Sequence, residues 1–412
     1  MFKKLLAIAF IFFCTSIAWM ILGGTLFART YVADSSLKHR VQRIWGDPQA
    51  QTAPTISYTT ERLRAEKTQV DGKTVTKFLK HLDTHCLPLV GSDIKVNLHL
   101  DHRQKGLLWY ATYAVKFSGA YQFQNNTGQD RLLTVSFPFP SQSSIYDGFA
   151  MKVRHTPWAK SPESVDGQVR GVILVRTGET VTVDVAYGSQ GMDRWSYRLT
   201  TTDKVAELRN FRLEIQTDFN AIDFPEDTLS PTHKERSSDG WRLTWRYTNL
   251  LSGANIGVLM PQKLQPGPLA AEISFFAPVS LFFFFVVMLV ITLVRRIELH
   301  PMHYFFLSAA FFAFHLLLAY LVDHLSIHLA FAAASLVSVA LVVSYLRLAV
   351  GSRFAFVEAG AAQIVYLVLF SYAFFFRGFT GLAITVGAIL TLFVLMQITA
   401  RIRWNEVFTK RP

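Results

Sequence analysis

The sequence predicts a six-span α-helical membrane protein with a mainly β, sandwich-like domain between its first and second spans. Three observations carry that prediction. Six apolar runs are each long enough to cross a hydrocarbon core of about 30 Å, which takes about 20 apolar residues as helix. The stretch from Ala28 to Glu272, between the first run and the other five, is polar enough to live in water. From Leu107 onward that stretch breaks into short alternating segments punctuated by Gly, Asn and Asp, the texture of antiparallel strands.

Leu5–Phe27 is the first span and residues 1–27 form an N-terminal anchor. Lys3 and Lys4 precede it as they would a signal peptide. Its apolar run is longer than a usual signal core, however, and Leu26-Phe27-Ala28 is a poor small-x-small cleavage site. Ile11-Phe12-Phe13 before Cys14 also lacks the small residues that precede a lipidated cysteine. The span is read as uncleaved. Tyr31–Trp45 then reads as a juxtamembrane helix, with Val32, Leu37, Val41 and Ile44 beside Lys38, His39, Arg40 and Arg43. That stripe suits a membrane surface or the helix's own domain equally. Gly46-Asp47-Pro48 ends it.

The strands expected next are Leu108–Phe123, Leu132–Phe139, Val169–Arg176, Thr180–Tyr187, Trp195–Thr201, Phe211–Thr217 and Trp241–Tyr247. Regular short strands argue for an antiparallel sandwich. Arg170–Tyr187 reads as one hairpin around Thr177-Gly178-Glu179. Asn125-x-Thr127 formally fits a glycosylation acceptor, but Asn-Asn-Thr-Gly is a good turn in its own right. A stretch of this length buries a core without disulfides, and the only cysteines, Cys14 and Cys86, sit in different regions. Pro261–Pro268 is a linker back to the membrane. Ile273–Val294, Met302–Val322, Leu325–Val343, Phe354–Phe376 and Phe379–Ala400 are the remaining spans, making a bundle over 273–404 with a tail over 405–412.

Charge sets the orientation. Outside Ala28–Glu272 there are 11 Lys/Arg against 4 Asp/Glu, so +7 of the net +12 lies beside membrane helices. Lys3 and Lys4, Arg295 and Arg296, Arg347 and Arg353, and Arg401, Arg403, Lys410 and Arg411 alternate as one side of a six-span protein must. The loops near Asp323-His324 and Arg377-Gly378 are nearly free of basic residues. The positive-inside bias puts both termini in the cytoplasm and residues 28–272 in the periplasm of a Gram-negative cell. Without a compact basic patch, the charge points away from nucleic acid.

No signature of catalysis appears: no phosphate-binding glycine loop, no GxSxG elbow, no HExxH and no paired cysteines. The chain is expected not to be an enzyme and to use no cofactor and no metal. His81 and His85 are four apart, on one face of a helix if the segment is helical, with Asp83, Cys86, His99 and His102 near in sequence. A solvated surface suits them better than zinc. Ionisable groups inside spans carry a default suspicion of function. His315 lies mid-span and Glu358 lies a turn from Arg353, with Gln363 and Gln397 further along. They would serve a proton or solute path; otherwise Glu358 snorkels to the interface and His315 bonds to a neighbouring helix.

Ser36–Gln49 ends in Trp45-Gly46-x-Pro48-Gln49. His300-Pro301-x-x-Tyr304 opens the third span. Asp323-His324 follows that span, Tyr345-Leu346 leaves the next one, and Thr399, Arg401 and Trp404 close the last. This resembles the CreD family of inner-membrane proteins, over about the last 110 residues and about 15 near the start. Where that family carries a Glu-Asp pair between the last two spans, this chain has Phe376-Arg377-Gly378-Phe379. The resemblance implies an inner-membrane protein of cell-envelope integrity and brings no catalytic residues. In the residues themselves, Pro301 suits a helix start, His300, His303 and Tyr304 suit a membrane interface, and Asp323 and His324 suit a tight turn. The expected function is non-enzymatic support of the envelope or its stress response. It would act through the periplasmic domain on a protein, glycan or lipid partner besides the bilayer itself. The alternative is a small transporter or lipid-handling protein built on the bundle.

Overall fold

The computed structural model describes residues 2–70, 73–105, 108–199, 206–376 and 378–400; the side chains of 2, 31–36, 64–70, 73–79 and 206 are outside that description. Among the described residues, six helices are long and apolar enough to cross a membrane. Phe2–Trp45 is a single helix of 44 residues, so the expected juxtamembrane helix is its continuation. The second helix, Pro266–Arg295, starts inside the stretch read as a linker, because Pro266 takes the first turn where a missing N–H is harmless. The third and fourth are Pro301–Leu321 and Ile327–Ala349. The fifth, Phe354–Phe375, contains two π-helical segments, Phe354–Ala359 and Ile364–Leu369. The sixth is Thr380–Thr399. Arg401, Arg403, Trp404, the 405–412 tail and Arg377 lie outside the described residues.

The strands among the described residues are β1 Gln49–Thr52, β2 Thr55–Val70, β3 Lys73–Cys86, β4 Leu89–Lys105, β5 Leu108–Gln124, β6 Arg131–Pro138, β7 Tyr146–Val153, β8 Trp158–Val165, β9 Gln168–Val175, β10 Thr180–Met192, β11 Arg194–Arg198, β12 Ala206–Thr217, β13 His233–Arg236, β14 Trp241–Ser252 and β15 Ile256–Leu259. They form a seven-stranded sheet in the order β13-β14-β12-β4-β5-β10-β7, a five-stranded sheet β3-β2-β6-β9-β8, and a small sheet β1-β11-β15. β12 runs parallel to β4 and β1 to β11, while β10 with β5 and β7, β14 with β12 and β13, β2 with β3 and β6, β9 with β6 and β8, and β11 with β15 are antiparallel. Alternation decides which face goes in: β9 and β10 bury every second residue.

The two large sheets share one core. Phe117 of β5 and Tyr187 of β10 stack at 4.9 Å, and both meet Phe137 of the facing sheet, at 6.4 and 6.2 Å. Trp195, Trp245, Tyr121 and Phe211 are fully buried in the same cluster. The sandwich expectation therefore holds, and each expected strand is present, though the one at Trp195 stops at Arg198 and Thr200-Thr201 fall outside the described residues.

Two expectations need correction. Strands β1 to β4 occupy a region with no strand expectation, so His81 and His85 lie on β3 rather than a helix. β2 pairs with β6 only over Thr55–Ser57, while its ladder with β3 runs on to Val70↔Lys73. Arg62, Leu63, His81 and Leu82 are accordingly exposed on both faces of that ribbon, which erases the alternation a half-buried strand would show. Second, Arg170–Tyr187 is not a hairpin. β9 pairs with β6 and β8, and β10 with β5 and β7, so the chain crosses from one sheet to the other at Thr177–Glu179. The turn expected at Asn-Asn-Thr-Gly is present, and Asn125 within it is fully buried. Its Nδ2 donates to the carbonyls of Gln129, Val175 and Arg176 (2.9, 3.0 and 3.1 Å), and its Oδ1 accepts from Thr127 N and Oγ1 (3.1 and 2.7 Å). It ties the β5–β6 turn to the crossing between the sheets.

By contacts the chain forms two compact units, Leu37–Lys105 with Trp109–Lys263, and the membrane length of the first helix with everything from Leu264 on.

Candidate functional site

In the bundle, the residues singled out by sequence fall into two kinds of place. At the helix ends, they make clamps. His300 accepts from Met302 N (3.3 Å) as the third helix's N-cap, with Pro301 in its first turn. His303 Nδ1 meets Tyr345 Oη at 2.7 Å, which joins the opening of the third helix to the exit of the fourth. Tyr304, in the first turn of the third helix, is buried and packs edge-on to Phe285 at 5.2 Å. Asp323 takes both oxygens to Arg29 Nη2 (2.8 Å each), clamping the first helix against the loop after the third. His324 supplies only its backbone N–H, to Leu321 O, and its side chain is exposed. Glu358, on the first π segment, accepts from Arg295 of the second helix at 2.7 Å, while its other oxygen, Oε2, is buried without a partner.

Inside the bundle lie the polar groups that a hydrocarbon medium makes expensive. His315 is buried; its Nδ1 bonds its own helix at Phe311 O (2.9 Å) rather than a neighbour, and Nε2 has no partner. Trp19 of the first helix packs edge-on against it at 5.6 Å, with its own Nε1 also unpartnered. Gln363 is fully buried, donates to Ser338 Oγ (2.9 Å), and keeps Oε1 free, while Ser338 donates to Ala310 O (2.7 Å). These links string the third, fourth and fifth helices together. Gln397, by contrast, is exposed on the sixth. Ser280 donates to Tyr366 O, a carbonyl in the second π segment, where the widened turn leaves carbonyls to spare.

In the β unit, Trp45-Gly46-x-Pro48-Gln49 turns out to be a fastening. Trp45 lies 3.6 Å under the Arg103 guanidinium, and Lys38 one helical stretch earlier pairs with Asp193 at 2.8 Å. Gly46 has φ +95°, and a Cβ there would stand 2.5 Å from Ser144 Oγ and 2.6 Å from Gln190 O, so only glycine fits. Gln49 is fully buried and donates to Ser189 Oγ (2.8 Å) and Gln190 O (2.9 Å).

The outward face of the seven-stranded sheet is charged and uneven. One depression of about 390 Å³ is floored by Ser118, Ala120, Ala150 and Ala186 and rimmed by Lys95, Lys152 and the Arg154–Asp184 pair at 2.6 Å. A second, about 620 Å³, holds a ladder in which Arg212 and Arg242 both reach Glu214 (3.1 and 3.6 Å) and Arg242 also reaches Glu235 (3.2 Å). The third, about 510 Å³, carries Lys116 and the His99–Asp218 pair. The hydrogen bond to Asp184, then its charge, holds the Arg154 guanidinium above its ordinary value. Of the other histidines noted in the sequence, His102 Nε2 bonds Pro261 O (2.7 Å), and His85 stacks on Tyr58 at 5.2 Å, while His81 stands 3.7 Å from Asp83. Cys86 and Cys14 are exposed free thiols.

Sequence reasoning missed Trp19, Arg29 and this face. Arg29 had a signal: a lone cation past one span and a lone acid, Asp323, past another, both on the loop side poor in basic residues.

Residues 273–405 match the family model described as "Inner membrane protein CreD". No curated protein matches the chain. Among solved structures, a candidate nutrient binding protein of Legionella pneumophila is similar at 9% identity and a TM-score of 0.33, over 58% of this chain and 76% of that one. A candidate protease of Parabacteroides distasonis is similar at 10% identity and a TM-score of 0.27, over 68% of this chain and 58% of its own length. Likenesses at that level carry no argument about fold or activity. The family match spans the second to sixth helices and takes in the His300–Tyr304 opening, the Asp323 loop and the Tyr345 exit. Over residues 273–405, about a third of the chain, the bundle therefore matches the CreD family of inner membrane proteins.

Proposed function

We propose that this inner-membrane protein is non-enzymatic and supports the integrity of the cell envelope, or its response to stress, through the β domain. On this reading the domain lies in the periplasm, as the loop charges favour, and binds another envelope component. The observation that carries the proposal is the outward face of the seven-stranded sheet. Its ionisable groups are spread over three depressions and engaged with one another in ion pairs. A reaction centre converges perturbed groups on one point; a recognition surface distributes them. Lys95, Lys116 and Lys152 remain as cations available to a partner on that face.

The test is barrier function in a deletion strain, read as uptake of a normally excluded dye and survival under detergent. Complementation would use the full chain and a version with the β domain on the first helix alone. Rescue by the tethered domain supports the proposal. An intact barrier without the protein overturns it.

A second reading is favoured by a specific observation: His315, Gln363 and Glu358 each keep a buried polar atom without a partner inside the bundle. Transport or lipid handling through the bundle would use them. It requires that His315→Leu or Glu358→Gln abolish rescue at unchanged expression, and wild-type rescue by both variants removes it.

A further inference from the structure

An apolar crevice of about 220 Å³ opens between the second, fifth and sixth helices. Phe283, Tyr366, Leu369, Ala383, Gly387 and Thr391 line it. Tyr366 acts as a spacer. Its ring stacks on Phe283 at 6.4 Å, and its hydroxyl donates to Thr391 Oγ1 at 3.0 Å. Ala383, Gly387 and Thr391 follow one another at intervals of four, so small side chains share one face of the sixth helix. That pattern ordinarily lets two membrane helices close up. Here they stay apart: a Cβ added to Gly387 would meet no atom within 4 Å. The space is continuous with the outer surface of the helices, because Val365 and Leu369 on its wall are 45% and 58% exposed.

We propose that this crevice binds one acyl chain of a membrane lipid. At the depth of a spanning helix the surroundings offer hydrocarbon chains and little else. An apolar space held open between packed helices is costly to leave unfilled. The site is an inward extension of the lipid-facing surface that the spans already require, and its occupant enters sideways past Val365 and Leu369. Both of its hydroxyl protons are committed within the protein: Tyr366 donates to Thr391, and Thr391 donates to Gly387 O at 2.8 Å. The site therefore recognises a chain rather than a headgroup. It stands independently of the role proposed for the β domain.

The test uses the full chain in vesicles of phosphatidylethanolamine and phosphatidylglycerol containing a phospholipid with a diazirine on one acyl chain. After illumination, labelled residues are mapped by mass spectrometry. Leu369, Ala383 and Gly387 should be labelled severalfold above Leu390 and Phe393, which are exposed on the sixth helix outside the crevice lining. Gly387→Leu, whose Cβ would meet no atom within 4 Å and whose longer side chain enters the crevice, should remove that excess and leave Leu390 and Phe393 unchanged. Gly381→Leu, also in open space but outside the crevice, should leave the excess intact and so separates filling from misfolding. Even labelling around the sixth helix, an excess that survives Gly387→Leu, or crosslinks to a second copy in place of lipid would each overturn the proposal.

Discussion

Replacing Asn125 by alanine tests whether one buried amide holds the sandwich's crossing together. The amide offers two hydrogens to three carbonyls and its oxygen accepts two more bonds, so about four hydrogen bonds disappear at once. Each is worth about 1 kcal/mol net, and a buried carbonyl left without a donor adds about 1–3 kcal/mol. Some of the carbonyls recover water once the side chain is gone, so a loss of about 3–4 kcal/mol is expected, against a total of about 5–15 kcal/mol for a domain. Asn125→Asp should be at least as harmful, because it aims a carboxylate at the same three carbonyls. The assay is pulse proteolysis of the full chain in micelles across a urea series, following cleavage within the β domain. A midpoint equivalent to less than about 1 kcal/mol from the parent for Asn125→Ala would refute the reasoning and reduce the residue to an ordinary turn former.

Gly46→Ala should destabilise the β domain by about 1–2 kcal/mol from the positive φ alone, with more from the contacts at Ser144 and Gln190, and the same urea series reads it. Arg29→Ala or Asp323→Ala should lower bundle stability by about 1 kcal/mol or less, since the pair is partly exposed; the exchange Arg29→Asp with Asp323→Arg should recover most of it in a thermal melt. Burial lifts the hydroxyls of Tyr113, Tyr121, Tyr187 and Tyr197 above their ordinary value, so the folded domain keeps protons that the unfolded chain releases near pH 10. Its stability is therefore intact below about pH 10 and falls as pH rises through that value, by about 1.4 kcal/mol per pH unit for each tyrosine. A urea midpoint that stays flat up to about pH 11 would contradict this.

The spans were readable because a bilayer imposes length and apolarity on every residue of a crossing helix, and Ile273–Val294 or Phe379–Ala400 satisfy both without help from neighbours. The later strands were readable because their two faces differ; Thr180–Tyr187 alternates in letters as β10 alternates in burial. What stayed hidden depends on contacts distant in sequence. From Glu61 to Leu63 and from Lys80 to Leu82 the β2–β3 ribbon is exposed on both sides, so no periodicity marks it there. The partner of β9 is β6, and a two-residue turn signal at Thr177-Gly178 looks the same whether the chain doubles back or crosses to a second sheet. The π segments of the fifth helix have no composition of their own. Arg29 and Asp323 are 294 residues apart, and only the bundle brings them together.

The first helix decides how the complementation experiment is to be interpreted. It is fastened by two separate sets of residues. In the bundle unit, Trp19 packs on His315 and Phe312, Phe12 meets Phe282 at 6.0 Å, and Arg29 holds Asp323. In the β unit, Lys38 holds Asp193, Trp45 lies against Arg103, and Gly46 and Gln49 seat the chain at the start of β1. A chain cut to the first helix and the β domain loses the first set and keeps the second whole. The domain's core and its charged outer face are then unaltered, because their residues are drawn from the β unit alone. Arg29 loses its partner at the end of a span, where a long basic side chain reaches the interface at little cost. Failure of the tethered form to rescue, if it is expressed and resistant to protease, therefore reports on a task of the bundle and cannot be assigned to a damaged domain. Arg29→Ala in the full chain is the matched control: it removes the same clamp while leaving all five other helices in place.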